Sequence, residues 1–274
     1  DSFRFSASRI ERMNTCHFAY FMEYGLQARV REKAQFNAPQ IGTFLHYILE
    51  NVVRDVKKLG GFAQVDDDTL RTLTEQYIAR YAESELRNFQ DRSPRFRYLF
   101  DRLRHAAFAV VRETAEELRH SDFVPVAFEL DFGDGKTLPA VSIREPDSEL
   151  RIGGKVDRVD GWVKNGKLYL RVVDYKTGRK EFRLSDVRMG LDIQMLLYLF
   201  TLQAEGERHF GMPVEPAGVL YFPARDEILS AERNISPELL AAKRAGELHR
   251  CGLLLRDPEV LRAMEHEALE RPVY

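Results

Sequence analysis

Leu168-Tyr-Leu-Arg-Val-Val-Asp-Tyr-Lys-Thr-Gly178 is an apolar run typical of a buried β-strand, and it ends in charged residues. Side chains alternate between the two faces of a strand. We therefore expect Asp174 and Lys176 to point the same way at the strand's end. The simpler alternative is an exposed ion pair at a strand end, and the run alone does not decide between the two.

A second strand-like run lies upstream, in Gly153-Gly-Lys-Val-Asp-Arg-Val-Asp160, and it carries Asp157. Asn165-Gly166, between the two runs, is typical of a two-residue hairpin turn. Folding this hairpin brings Asp157 towards Asp174. Two carboxylates beside a lysine indicate a divalent-metal site at which a phosphate can be hydrolysed.

The two predicted acids suit Mg²⁺, which prefers oxygen ligands in nearly octahedral geometry. Neighbouring carboxylates repel each other, and a bound cation would remove that conflict. Lys176 is suited to orienting or deprotonating the attacking water, or to stabilising the charge that develops on phosphorus. The sequence does not choose between these roles.

Composition limits the class of protein. The chain has 274 residues, 44% of them hydrophobic, a formal net charge of -2 and only Cys16 and Cys251 as cysteines. This charge argues against capture of nucleic acid by a uniform positive field, although local basic clusters such as Lys176–Arg183 can meet phosphates. Such clusters are more often solvated loops. With no membrane span, signal segment or disulfide framework in the sequence, we expect a cytoplasmic protein.

The first part of the chain is predicted to be helical. Ser6 is positioned to cap a helix that continues through the aromatic residues near Phe18, and a second helix begins near Pro39. Beyond the Gly60-Gly61 break, Asp66–Phe89 and Arg95–Ser121 have the pattern of long amphipathic helices.

The remainder alternates between strands and helices. Strands are predicted over 123–132, 140–143, 150–162, 167–174 and 218–222, and helices over 237–249 and 258–269, with another running from a Ser185 cap to Phe200. The simplest arrangement is an α/β fold, a mixed sheet flanked by helices. We expect a helical region over 1–122 that contributes His46 and Cys16, and a core over 123–274, together forming one integrated domain.

Three further positions are candidates with simpler explanations. His46 lies on an apolar helix, where a histidine is more often a satisfied core residue than a metal ligand, although an imidazole would favour Mn²⁺. Gln194 and Tyr198 share a helix face and need polar partners if they are buried. Glu129 either approaches the acids from the preceding strand or simply occupies an exposed alternating position.

The ordered set of His46, Asp157, Asp174-Tyr-Lys176 and Gln194-Met-Leu-Leu-Tyr198 resembles the motifs of RecB-like nucleases in the PD-(D/E)xK superfamily. The closer resemblance is to the C-terminal nuclease domain of AddB subunits in bacterial AddAB helicase-nucleases. It runs from Ser6-Ala-Ser-Arg-Ile10 to Gly252-Leu-Leu-Leu-Arg-Asp-Pro-Glu259.

The resemblance implies a restriction-endonuclease-like fold with metal-dependent cleavage of DNA. It implies that His46, Asp157 and Asp174 bind Mg²⁺ or Mn²⁺, with the Tyr175 backbone carbonyl as a further ligand. Asp174 and Lys176 would be catalytic, and Gln194 and Tyr198 would position DNA or the lysine.

The same resemblance implies a [4Fe-4S] cluster in full-length relatives, held by one early cysteine and three late ones. Cys16 fits the early position, but Cys251 is solitary and no late trio follows it. We expect a truncated domain without an intact cluster. The alternative for Cys16 is a small core residue.

The function that the resemblance implies is exonucleolytic hydrolysis of single-stranded DNA during double-strand-break repair and recombination, beside an AddA-like helicase-nuclease partner. ATP dependence would come only through that assembly. Two alternatives stay open. One is a non-catalytic DNA-binding or scaffolding module with the same fold, and the other is a stand-alone RecB-like nuclease such as those of CRISPR adaptation.

Overall fold

A computed structural model describes residues 2–28, 38–85, 93–225 and 234–267. Within these ranges seven strands form a mixed sheet flanked by helices, so the predicted α/β class is confirmed. The strands are β1 (Ser2–Ser6), β2 (Val124–Phe132), β3 (Val141–Glu145), β4 (Ser148–Lys164), β5 (Lys167–Lys176), β6 (Val214–Pro223) and β7 (Cys251–Leu254).

The long strand β4 organises the sheet because its two halves have different neighbours. Its first half pairs with β1 in parallel and with β3 in antiparallel orientation, and its second half pairs with β2 and β5, both antiparallel. Beyond β5 the sheet continues with a parallel β6 and an antiparallel β7. The strand β4 therefore joins most of the sheet to the predicted site.

The hairpin between β4 and β5 forms as predicted. Asn165 and Gly166 both have positive φ, 51° and 74°, as a two-residue turn of the primed type requires. The register runs from Lys164 opposite Lys167 to Arg158 opposite Val173. One further step along both strands aligns Asp157 with Asp174.

Most of the predicted helices are present, with ends set by local caps. The Ser6 hydroxyl accepts a hydrogen bond from the Arg9 amide at the first helix, and Ser93, Ser236 and Asp257 cap later ones. The helices are α1 (Ala7–Thr15), α2 (His17–Tyr20), α3 (Ala38–Lys58), α4 (Asp67–Glu85), α5 (Pro94–Arg119), α6 (Leu184–Arg188), α7 (Gln194–Phe210), α8 (Pro237–Glu247) and α9 (Pro258–Met264).

Alternation along β5 divides the core between the two faces of the sheet. Val173 and Tyr175 belong to a cluster with α3, α4 and α5, whereas Val172 packs with Met195 and Leu202 of α7 on the other face. The helices of the first part thus bury their apolar sides directly against the central strands. This packing places α3 next to the ends of β4 and β5.

Several predicted elements differ from the structure. The helix predicted from Ser185 to Phe200 is wrong, because α6 ends at Arg188 and the left-handed residues Gly190 and Asp192 separate it from α7. Ser185 lies inside α6 and does not cap it.

Other differences concern boundaries. The strands β1 and β7 were not predicted, and the first helix is interrupted at Cys16 between α1 and α2. The helix predicted over 258–269 ends at Met264, and residues 268 and 269 lie outside the described residues, as does Phe89. None of the described helices is long and apolar enough to cross a bilayer.

Candidate metal centre

The helix α3 brings His46 to the ends of the central strands. Its Nδ1 atom lies 3.3 Å from Asp157 Oδ1 and 3.9 Å from Glu129 Oε1. One ligand atom from each of these three residues lies within 4.8 Å of the other two. Among the described residues this is the group that meets the distance requirement for holding an ion.

The pairing of β2 with β4 explains how Glu129 reaches this group. The neighbouring pairs, Phe128 with Arg158 and Leu130 with Val156, leave Glu129 across from Asp157. Glu129 also has φ 48°, a left-handed conformation that is unfavourable for a side chain of this kind. Such strain costs on the order of 1–3 kcal/mol and is concentrated at functional sites.

The peptide groups of Tyr175 hold two of the candidate ligands in place. Its backbone N–H donates to Asp157 Oδ2 at 2.8 Å, and its carbonyl oxygen lies 3.3 Å from His46 Nε2. With the His46 proton on Nε2, the ring donates to this carbonyl and turns the Nδ1 lone pair towards the carboxylates. The predicted role of the carbonyl as a ligand itself stays a prediction.

Asp174 and Lys176 lie beside the group and on the same face of β5, as alternation requires. Lys176 Nζ is 2.6 Å from Asp174 Oδ2. Burial and the charge of Asp157 raise the pKa of Asp174 to about 6, against the opposing influence of Lys176 and His46. The two aspartates are therefore close enough to disfavour each other's ionised form.

Gln194 and Tyr198 form one hydrogen-bonded unit at the start of α7. Gln194 Nε2 donates to the Tyr198 hydroxyl at 2.9 Å, and the same hydroxyl accepts from the Lys155 backbone N–H at 3.2 Å. Burial raises the pKa of Tyr198, and the charges of Asp174 and Asp157 raise it further. The pair thus lies near the acids and attaches α7 to β4.

The geometry agrees with the similarity of this chain to known proteins. The family model for the PD-(D/E)XK nuclease superfamily matches residues 4–272. The chain belongs to this superfamily. The acid pair of its name corresponds in kind to Asp157 and to Asp174-Tyr-Lys176, which the hairpin brings together.

Curated relatives agree with the predicted resemblance to AddB. Proteins named as one subunit of an ATP-dependent helicase/deoxyribonuclease are 32% identical in Thermoanaerobacter sp. (strain X514) and Clostridium acetobutylicum, over 97% of this chain. The protein of the same name from Acetivibrio thermocellus is 35% identical over 96% of this chain. In each case the match covers 23% of the relative, so the chain spans about a quarter of the length of these proteins.

The side chains at this PD-(D/E)XK centre fit a hard divalent cation. One imidazole nitrogen and carboxylate oxygens are suitable donors for Mg²⁺ or Mn²⁺, and the nitrogen favours Mn²⁺. Burial acts to lower the pKa of His46, but its hydrogen bond to Asp157 and the charge of that residue raise it. A cation among these groups would offset the negative charge that now raises the pKa of both His46 and Asp174.

A buried charge network lies behind the centre, and it was not predicted from the sequence. Arg158 donates to the Tyr175 hydroxyl at 2.9 Å, and Arg158 and Arg171 both contact Glu117 of α5. Asp160 pairs with the same two arginines, and Arg250 also approaches Glu117. A signal was present: three charged residues stand inside strands whose apolar neighbours predict complete burial.

Glu117 shows how strongly this network is charged. Burial acts to raise its pKa, but Arg158, Arg250 and Arg171 outweigh burial and lower the pKa to about 2. Since Tyr175 both contacts Arg158 and holds Asp157 and His46 through its backbone, the network fixes the strand ends that carry the nuclease centre.

The cysteines lie apart from this centre. Cys16 is exposed at the break between α1 and α2, so its alternative role as a small core residue is wrong. Cys251 is half-buried and donates from Sγ to the Lys180 carbonyl at 3.3 Å. The iron-sulfur role of Cys16 in full-length relatives stays a prediction.

Proposed function

We propose that this chain is a divalent-metal-dependent deoxyribonuclease domain that hydrolyses phosphodiester bonds of single-stranded DNA leaving a helicase. The observation that supports it is the convergence of His46, Glu129 and Asp157 beside the Asp174–Lys176 pair. Superfamily membership adds independent support for nuclease chemistry. Exonucleolytic action on the emerging strand is part of the proposal.

The proposed division of labour follows from the geometry. His46, Asp157 and Asp174 hold Mg²⁺ or Mn²⁺, with Glu129 and the Tyr175 carbonyl as further donors. The bound cation would supply Lewis acidity and a lowered pKa for water. Lys176 is placed to orient the attacking water and to stabilise phosphate charge, and Gln194 with Tyr198 positions the strand or the lysine.

The biological setting is taken from the relatives' names. Membership of a helicase/deoxyribonuclease implies DNA as substrate and a helicase partner, here an AddA-like protein. We place the activity in double-strand-break repair and recombination in the bacterial cytoplasm. ATP would be consumed by the assembly, and the phosphodiester hydrolysis proposed here needs none.

Replacement of Lys176 tests the proposal. We expect Lys176→Ala to lower metal-dependent cleavage of a single-stranded substrate by about 10²–10³-fold, since it removes transition-state charge stabilisation. The matched control is Lys167→Ala, because Lys167 lies on the same strand and its Nζ is also 2.6 Å from a carboxylate, that of Glu215. The control should cleave like the unmodified chain.

The outcomes separate the alternatives. Undiminished cleavage by Lys176→Ala in a nuclease-free preparation would exclude the assigned centre. DNA binding without any metal-stimulated turnover would favour a non-catalytic module. Turnover that is undiminished in the absence of any helicase partner, and unaffected by adding one, would favour a stand-alone nuclease.

A further inference from the structure

We propose that a basic cleft next to Lys176 grips the phosphates of single-stranded DNA on one side of the scissile bond. This inference rests on the proposed function and assigns binding residues to it. The cleft has a volume of about 470 Å³ and lies between the segment after β5, the end of β6 and the end of α8. We call it the basic groove, and its basic side chains are Lys176, Arg179, Lys180, Arg183 and Arg225.

The charge of the groove differs in sign from that of the chain. Five basic side chains line it against two acidic ones, Glu181 and Glu247, whereas the whole chain carries a formal net charge of -2. A concave surface lined by one sign of charge focuses the field and raises the local concentration of an oppositely charged ligand. The positive charge is thus concentrated where a phosphate backbone would approach the centre.

The groove is continuous with the candidate catalytic lysine. The ring of Tyr221 lies between the two, with Lys176 Nζ 5.6 Å and Lys180 Nζ 5.2 Å from its centroid. A strand with its reacting phosphate at Lys176 therefore has its next phosphates directed into the groove. The far wall carries Arg179 and Arg183.

The outer arginines are held only by weak pairs that a phosphate can replace. Arg179 Nη2 is 2.7 Å from Glu247 Oε2, and Arg183 pairs with Glu181, with 75% and 64% of the two arginine side chains exposed. Exposed ion pairs contribute about 0–1 kcal/mol. A phosphate offers arginine a bidentate partner of comparable geometry, so exchange costs little.

Arg225 has a different task, because it holds the groove together. Its guanidinium donates to the backbone carbonyls of Gly178 at 2.9 Å and Glu247 at 3.0 Å. It thereby ties the loop after β5 to the end of α8, which form opposite walls. For this reason it is not a residue to substitute in a binding test.

The shape of the groove favours one strand over a duplex. Its walls converge on a cleft of ligand size, whereas a duplex presents its phosphates on the outside of a wide cylinder. Phe182, half-buried, stands in the wall with its ring 6.2 Å from that of Tyr221. Grooves for single strands combine positive charge with aromatic side chains in this way.

A charge-reversal pair tests the groove separately from cleavage. Binding of a labelled oligothymidylate of about 12 nucleotides is measured by fluorescence anisotropy in EDTA, where metal-dependent cleavage does not occur. The test variant is Arg179→Glu/Arg183→Glu. The control is Arg144→Glu/Arg208→Glu, which reverses the same charge at two exposed arginines that also pair with glutamates, away from the groove.

We expect the test variant to raise the Kd on the order of 10-fold or more, and to reduce the slope of log K against log salt by about 1–2. The control and the unmodified chain should bind alike. In Mg²⁺ the test variant should raise KM and leave kcat unchanged. A blunt hairpin duplex should bind more weakly than the strand and lose less affinity on substitution.

Contrary results are distinct from failure of the proposed function. Equal binding by the test variant and the control, or no measurable binding by any of them, would overturn the groove even if the unmodified chain cleaves DNA. Duplex binding with the same dependence on Arg179 and Arg183 would overturn its preference for single strands. Groove-dependent binding without cleavage by the unmodified chain would leave the groove intact and remove the nuclease proposal.

Discussion

At the residue scale, Glu129 is the least expected member of the candidate centre. Its sequence position allowed either a role beside the acids or simple exposure, and periodicity could not choose. Its left-handed backbone and its place across β4 from Asp157 are tertiary facts. Those facts favour the first explanation.

Replacing the Glu129 carboxylate should weaken cation binding. We expect Glu129→Gln to raise the Kd for Mn²⁺ about 10-fold, because a neutral amide oxygen replaces a charged donor. Isothermal calorimetry on the full chain measures it. Glu215→Gln is the control, since Glu215 also pairs with a lysine on a strand but lies at the other end of β5. Equal Kd values for both variants would remove Glu129 from the donor set.

The other site residues differ in how far the sequence could place them. Asp157, Asp174 and Lys176 followed from strand alternation and one hairpin turn, which are local rules. His46 did not, because helical periodicity alone favours a core histidine. Its position depends on how α3 packs against the sheet, and only the motif resemblance compensated for this.

At the element scale, α7 packs on β4 through a close contact at Gly154. A Cβ atom on this glycine would overlap the Tyr198 hydroxyl, which also accepts from Gln194. The glycine run at the start of β4's second half thus has a packing reason. It lets the accessory pair approach the strand next to Asp157.

Filling that space should therefore be destabilising. We expect Gly154→Ala to lower the free energy of unfolding by about 1–3 kcal/mol, the usual cost of overpacking. Gly42→Ala is the control: a Cβ there meets nothing within 4 Å in helix α3, so this change should be neutral or stabilising by up to about 1 kcal/mol. Urea unfolding followed by circular dichroism compares them, and equal stabilities would contradict the packing argument.

The elements that escaped prediction are short or depend on distant partners. The strands β1 and β7 have five and four residues, too few for a clear alternation, and they exist because β4 and β6 provide edges to pair with. The break between α6 and α7 was missed because Gly190 was given too little weight against a favourable apolar run.

At the scale of the whole molecule, the buried network of Glu117 and its arginines joins α5 to the two central strands. The folded pKa of Glu117 is about 2, below its ordinary value of 4.5. A lowered carboxyl pKa stabilises the folded state above the unfolded pKa, and this contribution is lost as pH falls from about 4.5 towards 2.

Glu117→Gln should reveal this dependence. We expect the variant to be less stable than the unmodified chain at neutral pH, and the difference to shrink by about 3 kcal/mol as pH falls through that window. Urea unfolding at several pH values measures it. Glu116→Gln, on the neighbouring exposed position of α5, should show a small difference that hardly changes with pH. A constant difference for Glu117→Gln would refute the assignment.

The candidate ligands come from both parts of the chain, with His46 and Tyr175 separated by 129 positions. An ion coordinated by His46 on α3 and by Asp157 on β4 would act as a reversible cross-link that closes a very long loop. Loading the ion would then fasten the amino-terminal helices to the sheet, and chelation would unfasten them, so metal supply and mechanical integrity would be governed by the same handful of atoms.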